Sequence, residues 1–512
     1  MTFIQRRTFL KQAAATALLP LIPDMITGCT NPFPRMRYNV LSASGQAMIR
    51  KYARAVRIMK SRPAYEPSSW TFWWYTHAIP MSKSEAIQQV FGETSSAAKD
   101  LAQKAWWTCQ PHQVGEKTDN FLPWHRMLVY FFERQVRAVL HDDTFTLPYW
   151  DSTPGLPSSQ SGILPLAFRS PSDPLLAPLY IQDRNDGVNS GSPIDNENPG
   201  VLSAAGAMAE TTYSPNSPKQ GFCNSINVGV HAYVHALVGT VTNMGYVPTS
   251  AQDPVFWMLH SNIDRIWASW NRGGNLNPTD PDFLNQLFWF ADPDGRATSI
   301  KIGDVMSIEQ LNYTYEGFEP APAPFNDGPS DGPSLRLRNL APGTPVSTTM
   351  VASATDVPLG SSATTVQIKS TPEARDRVFD LSLGVPTAPD LGAYYLVIRD
   401  LQINAQPGVI YSLYLNVSEG ASDEELLAHK VGDLSFFQAM PGMEMNEPTR
   451  FVSYDITELA KRLGTSASGG GVSLTIIPSG EPVVGSGPVF GSIAIQKVWK
   501  IRPYDRREQT LR

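Results

Sequence analysis

Two stretches decide how this chain is read: Asn120-Phe-Leu-Pro-Trp-His-Arg-Met-Leu-Val-Tyr-Phe-Phe-Glu133 and Asp253-Pro-Val-Phe-Trp-Met-Leu-His-Ser-Asn-Ile-Asp-Arg-Ile-Trp267. From His125, apolar residues recur at Leu128, Phe132, Val136 and Val139, with Arg126, Glu133, Arg134 and Arg137 between them, which predicts an amphipathic helix. In the second stretch Asp253 reads as an N-cap and Pro254 as the first helical residue. Its inner face runs through His260, Ile263, Asp264 and Trp267. Each helix therefore carries a histidine on its apolar side. A third helix is expected over 228–237, where His231-Ala-Tyr-Val-His235 sets two imidazoles one turn apart on one face.

Alone, the His231/His235 spacing is weak. With 8 histidines in 512 residues, such a pair arises by accident in roughly one chain in eight. A zinc-protease reading fails, because the position of its glutamate holds Ala232. The surroundings raise the weight of the pair. His77 and His112 lie among aromatic residues upstream, and all but one of the histidines precede residue 300. So do 11 of the 12 tryptophans, between Trp70 and Trp289. Several histidines on apolar faces with no carboxylate or thiolate interleaved point to a metal that prefers neutral imidazole, and copper fits best. His141 and His429 have no such context and are expected at the surface.

Composition sets the frame. Apolar residues make up 42% and charged residues 17%, so a sizeable core is expected and disorder is not. The net charge of −6 offers no footprint for nucleic acid. Three cysteines make no disulfide framework, and no run of 18 apolar residues occurs. Arg6-Arg7-Thr-Phe-Leu-Lys11 ahead of an Ala-rich apolar stretch resembles a twin-arginine export signal over 1–29. Ile26-Thr-Gly-Cys29 resembles a lipobox, so Cys29 is a candidate lipid anchor. The expected partner is then the twin-arginine export machinery, and the expected location periplasmic or extracellular. A mainly α domain with a four-helix-bundle core and long loops is expected over 36–318, and a Pro/Gly-rich linker over 319–334. Beyond the linker, period-two alternation through Val409, Tyr411, Leu413 and Leu415 predicts a β-sandwich over 335–503. A short helix is expected at 456–463.

The two long stretches resemble the copper motifs of the tyrosinase and polyphenol oxidase family, and Tyr313-Thr-Tyr315 resembles the tyrosine motif that ends its copper domain. The resemblance implies a dinuclear type-3 centre, with His77, His112 and His125 on one copper and His231, His235 and His260 on the other. It implies oxidation of o-diphenols, with monophenols or o-aminophenols as further substrates, by O2. A haemocyanin-like oxygen-binding protein without turnover is the alternative. Leu259-His260 replaces the usual His-His pair, retaining the ligand. Cys109, three residues before His112, stands near the family's thioether cysteine and is either that or a free buried thiol. Asp264 is expected to orient its helix or accept an imidazole N–H, and Glu133 and Arg126 to pair. Val247 matches a position that shields one copper in relatives. Ala232 and Ala236 follow the two helix ligands, and Asn227 stands where plant relatives carry an acid, so diphenol oxidation is favoured over monophenol hydroxylation. The β-rich part resembles the C-terminal domain of plant polyphenol oxidases, which covers the copper entrance. Within it Leu434-Ser-Phe-Phe-Gln-Ala-Met-Pro-Gly-Met-Glu-Met445 plugs an aromatic pocket, meets Cu(I) during loading, or has Phe436 and Phe437 in the sandwich core.

Overall fold

The computed structural model describes residues 34–109, 118–153, 162–320, 346–370, 392–441, 451–464 and 472–500. The export signal, Cys29, His112, most of the linker and the methionines at 443 and 445 lie outside these. Five longer helices open the first part: α1 (Ala43–Ser61), α2 (Trp70–His77), α3 (Lys83–Phe91), α4 (Ala97–Ala105) and α5 (Phe121–Leu140). The first four are capped by the side chains of Ser42, Ser69, Ser82 and Ser96, each accepting a backbone N–H of the first turn. There follow α6 (Ala205–Met208), α7 (Gly221–Ile226), α8 (Ala232–Val238), α9 (Val247–Ser250), α10 (Val255–Arg272) and α11 (Pro281–Leu284).

The helix expected over 228–237 is not continuous. A π-helical turn, Asn227–His231, joins α7 to α8, and Gly229 within it has non-helical φ −92° and ψ −120°. Glycine tolerates that break, and the wider turn places His231 at the very start of α8. Helix α10 begins one residue later than expected. Asp253 still accepts the Val255 N–H at 3.0 Å, and it is also locked bidentately to the buried Arg184 at 2.7 and 2.8 Å.

A short parallel pair links the ends of the helical part, β1 (Arg35–Arg37) with β4 (Tyr313–Tyr315), and a hairpin β2 (Leu287–Ala291) and β3 (Ala297–Lys301) lies beside it in sequence. The remaining strands are β5 (Val346–Pro358), β6 (Thr364–Ser370), β7 (Ala393–Gln402), β8 (Ile410–Leu415), β9 (Lys430–Ser435), β10 (Phe451–Asp455), β11 (Val472–Pro478) and β12 (Val489–Lys500). They run antiparallel in the order β10-β7-β12-β5-β6-β11-β8-β9. Strands β5 and β6 are joined through only two residue pairs, so the sheet folds there into two layers around one core. A helix, Thr457–Gly464, occupies the place expected for one, with the Asp455 carboxylate accepting from Thr457.

The helical and β parts pack against one another. On β8, Tyr411 and Leu413 face the core of the β part, whereas Ile410 is buried in the core of the helical part. Polar contacts cross the same seam: Asn224 Nδ2 donates to the Phe451 carbonyl at 3.0 Å, and Tyr233 Oη to the Asp433 carbonyl. No helix among the described residues is long and apolar enough to cross a membrane.

Candidate metal centre

Five of the six candidate histidines can be placed, and all five are buried. His77 closes α2, His125 lies in the first turn and a half of α5, His231 and His235 flank the start of α8, and His260 sits in α10. Their rings gather in one place. His125 and His260 stack at 4.5 Å between centroids, His231 and His235 approach to 4.6 Å, and His231 and His260 to 5.2 Å. Candidate donor atoms of His231, His235 and His260 lie within 4.8 Å of one another, and so do those of His77, Cys109 and His125.

The orientation of the rings tests whether these residues fit a metal. The Nδ1 of His125, His231 and His260 meets the carbonyl four residues earlier on its own segment, at Phe121 (2.8 Å), Asn227 (3.1 Å) and Phe256 (2.9 Å). His235 Nδ1 meets the Met244 carbonyl at 2.9 Å. A carbonyl only accepts, so each Nδ1 carries the proton and each Nε2 keeps a lone pair. His260 Nε2 is fully buried with no hydrogen-bond partner, a costly arrangement unless an electrophile sits there. Burial also keeps the rings neutral: it lowers the pKa of His231 to about 3, and it lowers those of His125 and His260, with neighbouring imidazoles adding to it. Neutral, pre-oriented imidazoles fit copper.

The helices are held by a buried ionic network. Asp264, one turn after His260, receives Arg126 Nε at 2.5 Å, Arg37 at 3.2 Å, and the hydroxyls of Tyr313 and Tyr315 at 2.5 Å each. Among the described residues it accepts no imidazole N–H; it ties α10 to α5, to β1 and to the tyrosine motif. Burial alone would raise its pKa, but Arg126 and Arg37 outweigh that and hold the carboxyl below its usual range. Glu133 and Arg126 do not form the pair expected of them. Glu133 binds Arg37 at 2.9 Å and Arg137 at 2.6 Å, while the Arg126 guanidinium lies 3.6 Å from the centre of the Trp267 ring. Arg37 belongs to this network and was missed in the sequence, where Arg35-Met36-Arg37 carries no motif.

The β part reaches the same centre. Phe437 stacks on His235 at 4.2 Å with an 11° interplanar angle and meets His231 edge-on at 5.7 Å. It packs in a small apolar cluster with Ala78, Ala232 and Val247. Its neighbour Phe436 turns the other way, stacking on Phe490 inside the β core. Phe436 thus lies in the β core as one expectation had it, whereas Phe437 does not. The turn is pinned by Gln406, whose Nε2 donates to the carbonyls of Phe436, Phe437 and Ala439 at 3.2, 3.3 and 2.6 Å. Gln438 accepts from the Asn227 side chain at 3.3 Å. Ala236 lines the buried side of α8, and Val247 is completely buried. A cleft of about 300 Å³ runs along the seam beside Gly229, Tyr233, Tyr395 and Tyr454, and none of the histidines lines it. His141, at the exposed end of α5, and His429, whose Nδ1 meets the Leu415 carbonyl, belong to neither set.

Comparison with known proteins agrees with this geometry. Residues 67–182 and 181–273 match the model of the common central domain of tyrosinase, and residues 277–324 that of the polyphenol oxidase middle domain. The chain is 31% identical over 293 residues to tyrosinase HcTyr1 of Hahella sp. (strain CCB-MM4), covering 52% of this chain and 59% of that protein. It is 26% identical over 392 residues to the latent form of a chloroplastic polyphenol oxidase of Prunus armeniaca, covering 71% and 62%. The match therefore spans less than two thirds of the length of these relatives. Latent apple tyrosinase has a similar fold, with a TM-score of 0.55 at 20% identity over 90% of this chain and 97% of that one. A latent aurone synthase gives 0.56 at 18% identity over 92% and 91%. A tyrosinase central domain followed by a polyphenol oxidase middle domain, with histidines gathered for two copper ions, identifies the chain as one of the tyrosinase and polyphenol oxidase family of type-3 copper proteins.

Proposed function

We propose that the chain is a polyphenol oxidase that converts o-diphenols to quinones with O2, held latent by its own C-terminal β part. The observation that carries this reading is the set of inward-facing Nε2 lone pairs on His125, His231, His235 and His260. Each is fixed by a hydrogen bond from Nδ1 to a backbone carbonyl. His77 and His112 complete the ligand set in this reading. A copper pair held there supplies reversible one-electron chemistry at each metal, passing electrons from a diphenol to O2.

The chain's own residues do the rest. They hold the rings in the ligating tautomer, keep them neutral, and wall off water with Phe256 and Trp124. Supporting this reading, Phe437 lies flat on His235 beside His231, as the ring of an aromatic substrate would, and in the latent state it fills that place. Removing the β part, or cutting in the linker near Asp327, is then expected to open the site.

Substrate preference follows from what surrounds that ring. Ala232 and Val247 offer no hydrogen bond, and Asn227, completely buried, is an amide and cannot take a proton from a phenol at neutral pH. A diphenol is the favoured substrate, with monophenols slower. Steady-state kinetics of the copper-loaded chain with catechol and with a monophenol test this. Turnover of catechol is expected. A reversible oxygen-dependent absorption with no turnover would mark an oxygen carrier instead, and a monophenol oxidised as fast as catechol without a lag would overturn the preference.

We further propose export in folded form through the twin-arginine route, supported by Arg6-Arg7 and the apolar stretch behind it, with lipidation at Cys29. Replacing Arg6-Arg7 by Lys-Lys should retain the protein inside the cell. Fatty-acid labelling that survives Cys29→Ser would contradict the anchor.

A further inference from the structure

Cys109 lies among side chains that could hold a metal ion. The chain after α4 runs back along α2, with the Trp107 N–H donating to the Tyr75 carbonyl at 2.8 Å and the Thr108 N–H to the Thr76 carbonyl at 3.4 Å. This pairing brings Cys109, fully buried, beside His77 at the end of α2. Its Sγ lies 3.6 Å from His125 Nε2, on the side of the ring that carries the lone pair, since Nδ1 is bound to Phe121. Two donors on one tetrahedral metal, with bonds of about 2.0 Å to nitrogen and about 2.3 Å to sulfur, are about 3.5 Å apart. The separation between sulfur and nitrogen is that of two ligands sharing one ion. Donor atoms of His77, Cys109 and His125 all fall within 4.8 Å of one another.

We infer that Cys109 binds copper(I) directly at the A side, together with His77 and His125, as the state in which the first copper is taken up. This rests on the dicopper reading above and adds a ligand to it. A soft thiolate selects Cu(I) over harder cations, so the A side fills first under reducing conditions. The step is a ligand exchange: the ligands that carry Cu(I) in solution leave, the S–H proton goes to solvent, a Cu–S bond forms, and no electron moves. The B side, with three imidazoles and no sulfur, fills second.

The test uses the full-length chain freed of metal and loaded anaerobically with Cu(I), one equivalent at a time, and followed by copper X-ray absorption. After the first equivalent, a sulfur neighbour at about 2.3 Å is expected. It should vanish in Cys109→Ser and persist in Cys223→Ser, which alters the other buried cysteine of the described residues. Competition with a Cu(I) chelator should show the first equivalent held at least about tenfold more weakly in Cys109→Ser, with Cys109→Ala serving if the serine variant does not fold. A nitrogen-only shell in the unaltered protein would overturn the inference. So would an intact mass two hydrogens short, since the sulfur would then be bonded to carbon. If two copper ions bind through nitrogen alone, only the role of Cys109 falls; if fewer than two bind in total, the dicopper reading falls with it.

Discussion

The two halves of the centre are built differently. On the B side, His231, His235 and His260 come from two helical segments, have every Nδ1 fixed by a backbone carbonyl, and are covered by Phe437 from the β part. On the A side, His77 and His125 come from two other helices and share their space with Cys109. Phe437 of the β part therefore lies against the B half, while the A half carries the sulfur. In the proposed reading substrate exclusion and metal uptake belong to opposite sides of one buried histidine cluster, and each can be altered without the other.

The comparison breaks most completely at His260, whose ring lies between the two halves, stacked on His125 and near His231 and His235. His260→Ala is expected to abolish catechol oxidation while leaving the A-side copper bound, so metal analysis should show one copper per chain. Retention of two coppers would mean the B side is held by other groups.

Next in size is Phe437→Ala. If Phe437 stands in for a substrate ring, its removal should raise catechol turnover by about tenfold or more without changing copper content. The stabilising area lost is that of a buried aromatic side chain, about 3–5 kcal/mol where the site cannot collapse, so the variant is best assayed below its unfolding range. The same change at Phe436, which packs against Phe490 and Tyr411, should cost similar stability and open the site far less.

Acid should act on both halves. His125, His231 and His260 have folded pKa values below the ordinary value of histidine, His231 at about 3, because burial penalises the imidazolium. The unfolded chain takes up protons first as pH falls, so the metal-free protein loses stability from about pH 6.5 downward. Each such histidine contributes about 1.4 kcal/mol per pH unit until its own folded pKa is passed. Denaturant melts of the apo chain between pH 7.5 and about 5 should show stability falling with acid in this window. A flat profile would mean that the rings are not buried neutral.

A smaller effect is expected at Gln406, which pins the turn carrying Phe437 through three carbonyls. Gln406→Ala should activate by a few-fold, less than Phe437→Ala, as the turn loosens. No change in the ratio of latent to truncated activity would show that the turn holds itself.

How much of this could be read from the residues depends on the range of the contacts involved. The rings of His125, His231 and His260 are oriented by carbonyls four residues back, so helical periodicity and two dense motifs carried them. The Asp264 network draws on Arg37, 227 residues away, and on Tyr313, 49 residues on. Periodicity says nothing about partners that distant, so of the two roles expected of Asp264, orienting its helix or accepting an imidazole N–H, the residues alone could not choose the first. The π turn was hidden because apolar spacing is similar in α and π segments; Gly229 was its one local sign. Phe436 and Phe437 show the limit most plainly. Their composition and neighbours are nearly the same, and only the docking of the β part onto α8 sends one to its own core and the other onto His235.

In the proposed reading six histidines hold two coppers beneath Phe437. Copper content and catechol turnover, measured together on the copper-loaded full chain and on Phe437→Ala, test it most directly. Two coppers per chain in both proteins, with low turnover in the first and high turnover in the second, is the predicted result. One copper per chain, or two with equal turnover in both proteins, would contradict it.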